Sequence, residues 1–125
     1  MKGLLSAPGG PRTEKQIRGQ AGEDEALAYL AQQGLLLAER NFRCKGGEID
    51  LIMRHGETLV FVEVRKRAND RHGGAAASVT AAKQARLIMA AQIYLQRYKT
   101  PPACRFDVVA IDGTVLNWLK NAIVG

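Results

Sequence analysis

The chain has 125 residues, 46% of them hydrophobic, which suits one domain with a core of its own and no need of covalent staples. No apolar run approaches the roughly 18 residues of a membrane helix, which excludes a helical span, and only 6% of residues are aromatic, which argues against a surface that works mainly by stacking bases. The formal net charge of +6 suggests a polyanionic partner, because each neutralised phosphate releases counterions, although basic domains without such a partner are common.

In chain order, Met1 to Thr13 lacks the apolar stretch of a signal peptide, since Leu4-Leu5 is followed at once by Pro8-Gly9-Gly10-Pro11. It reads as a disordered tail on a cytoplasmic protein, leaving a single domain over 14–125. Glu23 to Gln33 is rich in helix formers and ends at Gly34. The helix can start as early as Glu14, with Gly19 and Gly22 weakening its middle. Leu35 to Phe42 is a first strand. Glu48 to Arg54 and Thr58 to Lys66 form a hairpin around His55-Gly56-Glu57. Arg67 to Val79 is a polar, Gly-rich loop. Thr80 to Tyr98 is a long helix with Gln84, Leu87, Ile88, Ala91, Leu95 and Tyr98 on one stripe. Arg105 to Ile111 is a strand, Asp112-Gly113 a tight turn, and Thr114 to Leu119 a returning strand or short helix. The order α-β-β-β-α-β plus a final element implies an α/β fold, a mixed sheet flanked by helices. Cys44 and Cys104 belong to no metal-binding spacing and read as small packing residues. His55 and His72 read as surface residues, and Asp107 as structural, paired with an arginine.

The hairpin can be registered from its pattern. A two-residue turn, His55-Gly56 or Gly56-Glu57, puts Ile49, Leu51, Met53, Thr58, Val60, Val62 and Val64 on one face. The other face then carries Glu48, Asp50, Ile52, Arg54, Glu57, Leu59, Phe61, Glu63 and Arg65. A three-residue turn would mix Glu63 into the apolar face. On the second face Ile52, Leu59 and Phe61 can sit under a helix, while Glu48, Asp50, Glu63 and Arg65 gather at the open end. Asp50 is opposite or diagonal to Glu63, with Cβ atoms roughly 5 to 8 Å apart. Two carboxylates so close repel unless a hard cation sits between them, and Val64's carbonyl is placed to add a third oxygen. The same charges also satisfy a plain ion-pair cluster, with Arg65 neutralising Glu48 or Asp50.

Gly47-Glu48-Ile49-Asp50-Leu51-Ile52 followed by Phe61-Val62-Glu63-Val64-Arg65 resembles the D…(D/E)xK signature of restriction-endonuclease-like nucleases. With Gly19-Gln20-Ala21-Gly22-Glu23, Ala26, Tyr29-Leu30, Arg40-Asn41, Gly74, Val79, Lys83 and Arg105-Phe106-Asp107-Val108-Val109, the chain is similar to the bacterial YraN-like family from Arg18 to Ile123. That family looks like a relative of archaeal Holliday-junction resolvases. The resemblance implies a restriction-endonuclease-like sheet, Asp50 and Glu63 as ligands of Mg²⁺ or Mn²⁺, and Glu23 as an auxiliary acid on the first helix. Related resolvases act as dimers, which adds a homodimer as an expectation, although no interface is legible in the chain.

Glu23 precedes Leu27 by four residues and Leu30 by seven and should point to the sheet, although an acid at a helix start is also favoured by the dipole. Glu48 is a further metal ligand or a partner of Arg65. The signature's lysine is replaced by Arg65, which cannot be a general base but can hold a phosphate. Lys83, at the start of the long helix, can reach the site from above or remain a solvated charge. Arg65, Lys66, Arg67, Arg71 and Lys83 are the candidate nucleic-acid contacts, with Lys66 directed to the apolar face. The functions in view are a metal-dependent endonuclease acting on DNA, including branched DNA, a non-catalytic nucleic-acid-binding module on the same fold, and a protein-interaction domain.

Overall fold

A computed structural model describes residues 14–68 and 74–123; the expected tail over 1–13, Arg71 and His72 lie outside them. Helix α1 runs Glu14–Gln32, taking the earlier of the two starts open in the sequence. It ends as expected, with Gly34 at φ +94° and the Leu35 N–H returning to the Leu30 carbonyl at 3.0 Å. Strands β1 (Leu36–Cys44), β2 (Gly47–His55) and β3 (Thr58–Arg67) form an antiparallel meander. After α2 (Gly74–Ala77) and α3 (Ala81–Leu95), β4 (Cys104–Asp112) lies parallel to β3 and β5 (Val115–Ile123) returns antiparallel. The five strands are thus ordered β1-β2-β3-β4-β5, with the helical crossover that a parallel pair requires.

The sheet has two apolar faces, each covered from one side. Ala26 and Leu30 of α1 pack on Leu51, Met53, Val60, Val62, Val64, Val109 and Ile111. Leu87, Ala90, Ala91 and Tyr94 of α3 pack on Ile52, Leu59, Phe61, Val108 and Ala110. Among the described residues no helix is long and apolar enough to cross a membrane.

Several local readings are corrected. The returning element is a strand and runs to Ile123, and its turn is Gly113-Thr114, because Asp112 pairs with Val115. Part of the expected loop after Arg67 is α2, whose Ala75 N–H is capped by the Asp112 carboxylate at 2.7 Å. Helix α3 begins after the N-cap Thr80 and stops at Leu95, passing into tighter turns such as Tyr98 N–H to the Leu95 carbonyl at 3.1 Å. Its buried line is Leu87, Ala90, Ala91 and Tyr94, while Gln84, Ile88, Leu95 and Tyr98 lie at its margin. Ile49 packs with Ile52 on the α3 side rather than with Leu51, so strict alternation fails across Asp50. Cys104 is exposed and not the packing residue expected, whereas Cys44, half-buried, does pack against the α3-side core; both are free thiols.

Asp107 is structural, as expected, but its role is larger than one arginine pair. It is fully buried where the β4–β5 register shifts, and accepts from Arg105 Nε (3.0 Å), Trp118 Nε1 (2.9 Å) and the Asn121 N–H (2.8 Å). His55, expected on the surface, is half-buried with Nδ1 3.0 Å from Arg105 Nη2.

Helix α3 meets β2 backbone to backbone at Gly47. A Cβ there would lie 2.2 Å from the Arg86 carbonyl oxygen and 3.1 Å from Ala90 Cβ. Gly47→Ala should therefore lift α3 from the sheet, costing about 2 kcal/mol or more and lowering Tm by roughly 10 °C in thermal unfolding. An unchanged Tm would show that the contact relaxes freely.

Candidate functional site

The sheet divides at the hairpin's open end. Pairing between β2 and β3 extends from His55–Thr58 to Leu51–Val62, which makes the turn Gly56-Glu57. Beyond that point β2 continues only against β1 and β3 only against β4. Asp50 and Glu63 are the first residues past the last pair. The Asp50 carboxylate takes the Val64 N–H at 2.8 Å, a donor that lies past the end of the β2–β3 ladder. The strands part around this bond, leaving a cleft of about 280 Å³ bordered by Glu23, Glu48, Asp50, Glu63, Arg65, Lys83 and Arg86, with Val64 and Gly19 completing its wall.

The carboxyls of Asp50 and Glu63 face one another across the parting, and each is raised above its ordinary value. Burial pushes the Glu63 carboxyl up to about 8, with the neighbouring Asp50 charge adding to it and Arg65 and Lys83 opposing it. Burial also raises Asp50, offset by the Val64 N–H. Glu23 is raised by burial and then by Asp50, and held down by Arg40 and Asn41.

The metal-free protein should consequently lose stability as pH rises. Between the ordinary carboxyl value of 4.5 and about 8 the folded chain holds a proton on Glu63 that the unfolded chain has released. That proton contributes a fall in the unfolding free energy across that window with a slope of at most about 1.4 kcal/mol per pH unit, and none above it. Urea titrations in chelator should show this decline and a shallower one in Glu63→Gln; a rise with pH would contradict it.

The expected site residues are partly brought together. Glu63, Asp50, Glu23, Arg65 and Lys83 line the cleft. Glu23 lies in the middle of α1, so a helix-start role is ruled out. Arg65 Nε donates to Ser78 Oγ at 3.0 Å while Nη1 stands 3.9 Å from Glu63 Oε2, which fixes the guanidinium beside the acid pair. Glu48 is exposed at the rim and lies 4.0 Å from Arg86. Among the described residues no three Asp, Glu, His or Cys side chains form a ready metal-holding group; Asp50 and Glu63 are the inner acids, and the charge of Glu48 at the rim acts on Asp50. Lys66 turns to α1, where Nζ meets Glu25 Oε1 at 2.5 Å, and Arg67 is exposed outside the cleft, so neither lines it.

Sequence reasoning gave no role to Arg40, Ser78 or Arg86. Arg40 Nη2 contacts Asp24 (2.8 Å) and Glu23 (3.6 Å), and its Nε is buried without a hydrogen-bond partner among the described residues. Beside it Asn41 takes φ 52° opposite the Asp50 region, a conformation asparagine tolerates better than most residues. The Arg40-Asn41 dipeptide was visible only as a matched motif.

A family model described as "Uncharacterised protein family UPF0102" matches residues 22–111, a stretch that contains Glu23, Asp50, Glu63, Arg65 and Lys83. The chain belongs to the UPF0102 family. It is 76% identical over 113 residues to a UPF0102 protein of Herminiimonas arsenicoxydans, covering 90% of this chain and 91% of that one. A UPF0102 protein of Janthinobacterium sp. (strain Marseille) is 70% identical, with 90% and 92% covered. One from Cupriavidus metallidurans is 56% identical over 116 residues, with 92% and 87% covered. This UPF0102 chain therefore aligns with its relatives over nearly their whole length, site included.

Proposed function

We propose that this chain is a metal-dependent endonuclease-like hydrolase acting on DNA, including branched or otherwise structured DNA. The observation that carries the reading is the Asp50–Glu63 pair, set where β2 and β3 part in a cleft that Arg65, Lys83 and Arg86 also line. Two carboxyls buried side by side mark a place where a cation is electrostatically favoured, and two carboxylates completed by waters suit Mg²⁺ or Mn²⁺. Asp50 and Glu63 would hold that ion. Bound there, it would neutralise developing phosphate charge and acidify water.

The chain's own groups divide the remaining work. Arg65, tethered by Ser78, presents a fixed cation to the scissile phosphate and, being permanently protonated, stabilises charge rather than removing a proton. Lys83 and Arg86 on α3 supply positive charge across the cleft. Glu23, held by Arg40, orients a water or a phosphate-bound group at the opposite wall.

The absence of a lysine at the Arg65 position favours a second reading, a module that binds nucleic acid without cutting it. A panel of linear, flapped and four-way DNA, incubated with Mg²⁺ or Mn²⁺ and with chelator, separates the two. Metal-dependent cutting that disappears in Glu63→Gln supports the hydrolase. Salt-sensitive binding with no product at any metal concentration selects the binding module. Neither binding nor cutting overturns both.

A further inference from the structure

The two interior glycines of α1 differ in a way that packing does not explain. Gly22 is buried, and a Cβ there would press on Lys66 Cβ at 3.1 Å, so the close approach of α1 to β3 requires it. At Gly19 a Cβ would meet nothing within 4 Å among the described residues. Glycine is nevertheless one of the least favourable residues inside a helix, and alanine would fit the described fold at Gly19 with a gain in stability. Gly19 has negative φ, so no backbone conformation calls for it either.

Its position supplies another reason. Gly19 lies one turn before Glu23 on the same side of α1 and borders the cleft that holds Asp50 and Glu63. The opposite wall carries Lys83 and Arg86, and Arg65 stands beside Glu63. The cleft therefore has a cationic wall and, facing it on α1, Glu23 with a position without a side chain one turn before it.

We propose that Gly19 is a substrate-contact position: the sugar-phosphate backbone of a nucleic-acid strand lies against α1 at this residue, opposite the Lys83 and Arg86 wall, and a side chain there would obstruct it. The inference rests on the nucleic-acid reading above and adds the strand's path. It makes Gly19 a steric selector for extended, slender polyanions.

The test compares wild type, Gly19→Ala and Gly19→Leu by thermal unfolding, by Mn²⁺ titration and by binding of labelled duplex and four-way DNA. The expected result is an unchanged or raised Tm and unchanged Mn²⁺ affinity in both variants. DNA affinity should be weakened at least about tenfold in Gly19→Leu and less in Gly19→Ala. Wild-type DNA affinity in Gly19→Leu would overturn the proposal and leave the nucleic-acid reading standing. A fall in Tm or in Mn²⁺ affinity would also overturn it, by showing that the glycine serves the fold or the acid pair. Wild-type protein that binds no DNA would instead overturn the underlying reading, and this one with it.

Discussion

Replacing Asp50 with asparagine is expected to reduce metal-dependent DNA cleavage by at least about a thousandfold, equivalent to about 4 kcal/mol of transition-state stabilisation, while leaving the fold intact. Asparagine is the informative substitution because Asp50 does two things. Its carboxylate takes the Val64 N–H where β2 and β3 part, and its charge forms half of the acid pair. Alanine would strand that donor, costing about 1 to 3 kcal/mol, and would confuse structural loss with chemical loss. Asparagine keeps an acceptor for Val64 and removes only the negative charge. Tm should be unchanged or higher, since the crowding of Asp50 against Glu63 is relieved. Mn²⁺ titration should show lost affinity in parallel with lost cleavage. Near-wild-type, metal-dependent cutting by Asp50→Asn would remove the pair from the mechanism.

The second large effect lies away from the cleft and concerns stability. Asp107→Ala should destabilise the protein by roughly 3 to 5 kcal/mol, a fall in Tm of roughly 10 to 20 °C. The carboxylate is fully buried and serves three donors from three directions: Arg105 Nε, Trp118 Nε1 and the Asn121 N–H. Its removal leaves an arginine, an indole and a peptide N–H without their acceptor where the β4–β5 register shifts, and where Asn121 is held at φ 52°. The same loss frees Arg105 from one of its anchors, leaving only the contact to His55 Nδ1. Asp107→Asn keeps an acceptor for the indole or the peptide but turns an amide towards Arg105, so its fall should be smaller than that of alanine. Urea or thermal unfolding of the two variants checks both the size and the order. An alanine variant as stable as wild type would mean that water replaces the carboxylate at no cost, which its burial argues against.

Both effects bear on what can be learned from the chain before it folds. Alternation with period two, and a turn whose length must be even, were enough to place Asp50 against Glu63, because a slip of one residue would have driven glutamate into the core. The end of α1 at Gly34 and the cap at Thr80 were likewise local matters, settled by one residue's backbone freedom or one side-chain oxygen. Alternation also told that both hairpin faces would be covered near the turn. It could not tell which face receives α1 and which α3, because a strand's pattern specifies a side and not a partner.

The parting of β2 from β3 was decided only in three dimensions. It depends on the Asp50 side chain taking a backbone donor of the neighbouring strand, and it carries Ile49 to the face opposite the one that alternation assigns. The contacts Arg40–Glu23, Arg65–Ser78 and Arg86–Glu48 each join residues brought near by packing alone, 13 to 38 positions apart, with no local signal to announce them. The Asp107 hub has the same character, since its indole donor arrives on the following strand and His55 from a distant turn. By itself the sequence determined most of the elements, the acid pair and its basic setting, because those follow from short-range periodicity and charge. The tertiary structure decided which cations face that pair, which acids stand apart from it and where the cleft opens, because each of these is set by the close approach of segments that have no short-range relation.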